Sequence, residues 1–68
     1  MKFNTWLKLQ INRDDRIGDI SKDLLQDYYN DVPQSIKKIR NHLDDLNVND
    51  EVKSALEEAW QEYKICKK

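Results

Sequence analysis

The sequence predicts an all-α domain, a compact bundle of four short helices. Three observations carry this expectation. Apolar residues recur at helical spacing in four separate stretches, and in the last of them Val52, Leu56, Ala59, Trp60 and Tyr63 fall at i, i+4, i+7, i+8 and i+11, which places all five on one face of a helix. Polar connections separate the stretches, and they hold the only glycine, Gly18, and the only proline, Pro33. No strand pattern appears anywhere in the chain.

The first helix is expected over residues 3–12, where Phe3, Trp6, Leu7 and Ile11 share a stripe and Leu9 points off it. The run Arg13-Asp14-Asp15-Arg16-Ile17-Gly18-Asp19 reads as a connection, with Gly18 or Asp19 capping a second helix over residues 19–30. Ile20, Leu24 and Tyr28 form its stripe, with Ile17 one turn earlier, and Asp23, Asp27 and Asp31 step down its polar side. Val32-Pro33 ends that helix, because proline lacks the backbone donor and disfavours helical geometry at the residue before it. Ser35 is a good N-cap for a third helix over residues 36–46, whose stripe is Ile36, Ile39, Leu43 and Leu46. Asp44 and Asp45 sit at the end disfavoured by the helix dipole and help to stop it. Asn47 or Asn49 then caps a fourth helix over residues 49–65, acidic in its first turn and basic at its far end. Trp60 is the expected hub of the core.

Size and composition bound the function. A chain of 68 residues makes one domain, residues 1–68, and buries only roughly 60% of the surface its unfolded form exposes, so its stability is marginal. One cysteine, Cys66, and one histidine, His42, leave no internal disulfide and too few ligands for a Cys/His metal site. Twelve basic residues against thirteen acidic ones, a formal net charge of −1, argue against a chain built to live on nucleic acid or an anionic membrane. No apolar run is long enough to span a membrane, and Met1-Lys2-Phe3-Asn4-Thr5-Trp6 lacks the apolar core of a signal peptide. The expectation is a cytoplasmic protein, a monomer or weak homo-oligomer.

Arg13-Asp14-Asp15-Arg16-Ile17-Gly18-Asp19-Ile20, then Asp27, then Val32-Pro33, form an ordered set with Phe3 and Trp6-Leu7 before it and Glu58-Ala59-Trp60-Gln61-Glu62-Tyr63 after it. In this order and spacing the chain resembles the YozE family of small bacterial proteins over almost its whole length. The resemblance implies a four-helix fold similar to sterile alpha motif (SAM) domains and a bacterial cytoplasmic setting. It implies no reaction and no catalytic residue. The chain departs from the family pattern at Val32, where an aromatic usually precedes the proline, and at Arg16, near which a second proline is common.

No residue set suggests catalysis, and no cofactor is expected. His42 lacks a nucleophile beside it, with Asp45 as the one local carboxylate to orient it, and Cys66 lies in a tail among Lys64, Lys67 and Lys68. Asp14/Asp15, Asp44/Asp45 and Glu57/Glu58 are sequence neighbours, about 100° apart on a helix, which does not let a pair share a proton. Three aspartates at every fourth position lack the converging geometry of a hard-cation cage. Arg13 and Arg16 offer an anion-binding loop, but the bland reading is a salt-bridged turn in which Asp14 or Asp15 caps the helix.

Two surfaces remain. Tyr28 and Tyr29 are adjacent and cannot both face the core, so one of them is exposed and available as a partner anchor. Lys37, Lys38 and Arg40 form the densest basic patch, with Asn41 beside them, whose ordinary explanation is a solvated helix face. The expected function is a small non-enzymatic interaction module that binds a protein partner through a surface including Tyr29. The alternative is weak nucleic-acid binding through Lys37, Lys38 and Arg40.

Overall fold

In a computed structural model, which describes residues 1–66 apart from the side chain of Cys66, four helices follow one another: α1 Phe3–Gln10, α2 Arg16–Asp27, α3 Ile36–Leu46 and α4 Asp50–Cys66. No strand occurs among the described residues. The expectations placed on the Cys66 thiol, Lys67 and Lys68 lie outside those residues. The long helix α4 meets each of the other three, and α2 also packs along α1.

The start of α2 differs from the sequence expectation. The N-cap is Asp15, as the salt-bridged-turn reading of this run expects, and not Gly18 or Asp19: its Oδ1 accepts from the Gly18 N–H at 3.0 Å. The helix therefore begins at Arg16 and takes Gly18 into its first turn. Gly18 is buried, and its φ is not positive. What requires a glycine is proximity: a Cβ there would lie 2.2 Å from the Arg13 carbonyl oxygen. The α1–α2 connection folds directly over the helix that follows it.

The end of α2 is also earlier than expected, three residues before Asn30, and Pro33 is not what stops it. Tyr29 and Asn30 both take positive φ, 52° and 65°. The Tyr29 N–H returns to the Gln26 carbonyl at 3.3 Å and the Asn30 N–H to the Leu25 carbonyl at 2.7 Å, which satisfies two orphan carbonyls of the last turn. The same closure ends α3 at Asn47, φ 57°, with Asn47 N–H on Asp44 and Val48 N–H on Leu43. Ser35 caps α3 as expected, its side chain accepting from the Lys38 N–H. Asn49 does the same for α4, accepting from the Val52 N–H at 3.1 Å.

The core gathers Phe3, Trp6 and Leu7 of α1, Ile17, Ile20, Leu24 and Leu25 of α2, Val32, Ile39 and Leu43, and Ala55, Leu56, Ala59 and Tyr63 of α4. Leu9 is exposed, as its position off the stripe implied, but Leu46 is exposed too: the closing turn at Asn47 swings Val48 onto the core instead. The buried line of α4 is rotated from the expected one. Ala55 is inside, while Val52 and Trp60 are half-buried at its margins. Tyr63, not Trp60, is the hub. It is 1% exposed, and Phe3, Trp6 and Trp60 surround its ring at centroid distances of 5.2, 6.0 and 5.3 Å.

Amide side chains tie the connections down. Gln34 Oε1 accepts from the Phe3 N–H at 2.7 Å, capping α1, whose N-cap residue Lys2 provides no side-chain bond. Gln34 Nε2 donates to the Tyr63 hydroxyl at 2.8 Å, and that hydroxyl donates to the Met1 carbonyl at 2.6 Å. Asn4 donates to the Asn30 carbonyl and accepts from the Val32 N–H, at 3.0 and 3.1 Å.

Trp60→Ala tests the corrected hierarchy of the core. Trp60 is half-buried and rests edge-on against Phe3 at 4.9 Å. Truncating it is expected to cost about 1–3 kcal/mol, below the range for a fully buried aromatic. The variant should remain folded at 25 °C with a lowered urea midpoint.

Candidate interaction surface

The two tyrosines separate by their backbone. Tyr28 still donates in helical register, to the Leu24 carbonyl at 3.0 Å, and its half-buried ring lies 4.7 Å from that of His42. Tyr29 then turns into the left-handed region, which reverses the chain and leaves its side chain 91% exposed. This corner is not slack. The two N–H bonds into α2 fix it from one side, and the Asn4 amide holds Asn30 and Val32 from the other.

Acidic residues border the corner. Asp27 precedes it and Asp31 follows it, both exposed, and the last turn of α2 contains no basic residue. His42 Nε2 lies 3.3 Å from Asp27 Oδ2, so α3 answers the α2 carboxylate through an imidazole. The carboxylate that faces His42 is thus Asp27, across the helix interface, not Asp45 one turn along its own helix. Upstream, burial raises the pKa of Asp23, and the neighbouring charges of Asp27 and Asp19 raise it further. Among the described residues no three His, Cys, Asp or Glu side chains are grouped to hold a metal ion.

The basic face divides. Arg40 does not stand with the two lysines as a free charge: its guanidinium grips Glu57 of α4 through two hydrogen bonds, at 2.7 and 2.6 Å. That fork raises the Arg40 pKa and lowers that of Glu57. Lys37 and Lys38 are exposed and form no ion pair among the described residues. The expected three-residue patch is a pair.

The arginines before α2 are likewise engaged. Arg13 bridges Asp15 at 2.8 Å and Glu62 at 3.0 Å, and Arg16 pairs with Glu58. Hydrogen bonds to Glu62, then Asp15, raise the Arg13 pKa. The loop is a salt-bridged turn with an aspartate cap. An anion arriving at this end of α2 would meet Asp15, Glu58 and Glu62 along the same open groove.

These pairs fix how the fold responds to acid. The Gly18 N–H, then Arg13, holds the Asp15 carboxyl below its ordinary range, and Arg40 does the same for Glu57. A carboxylate with a lowered folded pKa stabilises the fold above its unfolded pKa, and that contribution is lost as pH falls through the folded value. Asp23 has the opposite sign: ionising it costs stability at neutral pH, and acid relieves the cost. Urea midpoints are therefore expected to fall as pH drops from the ordinary carboxylate pKa through the lowered values of Asp15 and Glu57. Asp15→Asn should flatten that fall, and Asp23→Asn should raise the midpoint at pH 7; urea midpoints measured from pH 7 to about pH 2 check all three.

Sequence reading missed Asn4, which holds the Tyr29 corner, and Gln34, which caps α1 and meets the Tyr63 hydroxyl. Both are ordinary polar residues whose partners are 26 to 31 positions away, so nothing local marks them. No helix is long and apolar enough to cross a membrane among the described residues. Comparison with protein-family models, with curated proteins and with solved structures finds no match to this chain.

Proposed function

We propose that this chain is a small non-enzymatic interaction module, a YozE-like domain of the bacterial cytoplasm that binds a protein partner through the corner at Tyr29. One observation carries the reading: a tyrosine that is 91% exposed sits at a positive φ of 52° on a braced turn. Glycine is the usual occupant of such a position, and a residue bearing a Cβ costs about 1 kcal/mol there. The ring makes no return by burial in this domain. It is, however, the residue type that most often anchors an interface, and its backbone is already fixed. The single cysteine, Cys66, supports a reducing compartment, and the resemblance to the YozE family supports the bacterial setting.

Lys37 and Lys38 favour the second reading, nucleic-acid binding. With Arg40 held by Glu57, two phosphate contacts remain, and counterion release then gives a slope of about −2 in log affinity against log salt. Retention of a host protein by the immobilised chain, lost in Tyr29→Ala with an unchanged circular dichroism spectrum, is the expected result. Titration of labelled duplex and single-stranded DNA should show only weak association that disappears as salt rises. A sequence-dependent complex at physiological salt, abolished by Lys37→Glu with Lys38→Glu, would reverse the ranking.

A further inference from the structure

We propose that the partner segment seated at the Tyr29 corner is cationic, an arginine-bearing peptide stretch. This rests on the reading of Tyr29 as an interface anchor and adds the chemistry of what it binds.

Charge pairing across the molecule is uneven: Asp14, Asp45, Asp50 and Glu51 also form no ion pair among the described residues, but only at this corner do carboxylates without a lysine or arginine partner neighbour an exposed aromatic, Tyr29. On α4, Glu57, Glu58 and Glu62 each meet an arginine, and Asp44 of α3 meets Lys53. The acidic residues of α2 have no such answer. Asp19 and Asp23 form no ion pair among the described residues, nor does Asp31 just beyond the helix, and Asp27 has only the His42 imidazole. The carboxyl end of a helix carries partial negative charge, which lysine or arginine usually offsets. The last turn of α2 has neither. Lys2 lines the same shallow hollow as Asp31 but pairs with no carboxylate among the described residues. Burial is the main cause of the raised pKa of Asp23, and the charges of Asp27 and Asp19 add to it.

Tyr29 stands at the end of that row with Asp27 before it and Asp31 after it. An aromatic face flanked by carboxylates suits a guanidinium, which stacks on the ring while its N–H groups reach an acidic oxygen. A lysine ammonium fits less well, being more strongly hydrated and unable to stack. An acidic or phosphorylated segment would meet like charge from both sides.

The test is an amide chemical-shift titration of the intact chain with an acetylated, amidated Arg-Gly-Arg-Gly-Arg peptide, alongside its lysine and glutamate counterparts. The expected shifts centre on residues 27–31 and His42, with affinity in the order arginine, lysine, glutamate. Tyr29→Gly suits the backbone and so keeps the fold; it should weaken the arginine peptide about two- to five-fold, the range of an exposed cation–π contact. Asp27→Asn with Asp31→Asn should weaken it further and reduce its salt dependence. Shifts scattered over other carboxylates, an unchanged affinity in Tyr29→Gly, or equal binding of the glutamate peptide would overturn the proposal. The two levels separate with a captured host protein. If its retention needs Tyr29 but is indifferent to salt and to Asp27→Asn with Asp31→Asn, the anchor stands and the cationic partner falls. If retention does not need Tyr29, the anchor falls as well.

Discussion

Tyr63→Ala is expected to remove about a third or more of the protein's stability at 25 °C, and all of it if that stability lies at the low end of its range. Truncating a fully buried large aromatic costs about 3–5 kcal/mol. At about 0.05–0.15 kcal/mol per residue, a domain of this length has only some 3–10 kcal/mol to lose. Tyr63 carries more than its own area: its ring is the common neighbour of Phe3, Trp6 and Trp60. Its hydroxyl joins the Met1 carbonyl to Gln34, which in turn caps α1. Tyr63→Phe divides these roles. It keeps the ring and removes the hydroxyl, and it should cost about 1–3 kcal/mol through the polar groups left without a partner. Urea melts followed by circular dichroism should rank the variants as parent, Tyr63→Phe, Tyr63→Ala in falling midpoint. A midpoint for Tyr63→Ala equal to that of Trp60→Ala would show that the aromatic cluster has no centre.

Gly18→Ala is expected to destabilise where helix propensity alone says it should help. Within a helix, alanine is better than glycine by about 1 kcal/mol. Here the new methyl would lie 2.2 Å from a backbone carbonyl oxygen, and a backbone atom cannot turn aside as a side chain can. Relief requires the Arg13 connection to lift, which loosens the Asp15 cap and the Arg13 bridge to Glu62 together. Overpacking of this kind costs typically about 1–3 kcal/mol, and the coupled losses place the net effect at the upper end. Gly18→Ser should behave like Gly18→Ala. A rise in Tm for either would mean that the connection does not rest on the helix.

Gly18 also shows what the sequence did and did not disclose. A lone glycine among short polar residues reads as a turn with the cap at Gly18 or Asp19, while the salt-bridged reading of the same run offers Asp14 or Asp15 instead. The true reason for the glycine is the Arg13 carbonyl above it, a contact that exists only once the chain has folded back. Where the determinants are local, the reading was accurate. Ser35 followed by the Ile36, Ile39 and Leu43 stripe marked α3 at both ends, because a cap and a period are both short-range properties. Periodicity identified the inner face of α4 but not depth within it, so Trp60 and Tyr63 exchanged ranks. At the candidate surface, the exposure of one tyrosine followed from adjacency alone. That it is Tyr29, in left-handed geometry, depends on where α2 stops, and no residue near Gln26 announces that stop. The Arg40–Glu57 fork, 17 positions apart, was beyond local reasoning, and it is what removes one charge from the basic face.

The attachment of α3 has a consequence for how the molecule opens. Of the other helices only α4 runs close along it, and its fully buried side chains are Ile39 and Leu43. Its polar ties, Arg40 to Glu57, Asp44 to Lys53 and His42 to Asp27, involve partly exposed partners, which hold weakly against water and salt. Local opening free energies within one protein range from near zero to the global value, and segments with few buried contacts lie at the low end. Helix α3 is therefore expected to open first, with α1, α2 and α4 still joined through Phe3, Leu24, Leu56 and Tyr63, and amide hydrogen exchange fastest in α3 would show it. Lys37 and Lys38 ride on this least anchored helix, whereas Tyr29 sits on a turn locked to α2 and to Asn4. One molecule thus presents two surfaces with different lifetimes, a basic one that comes and goes with a local unfolding equilibrium and an aromatic one that persists as long as the fold does.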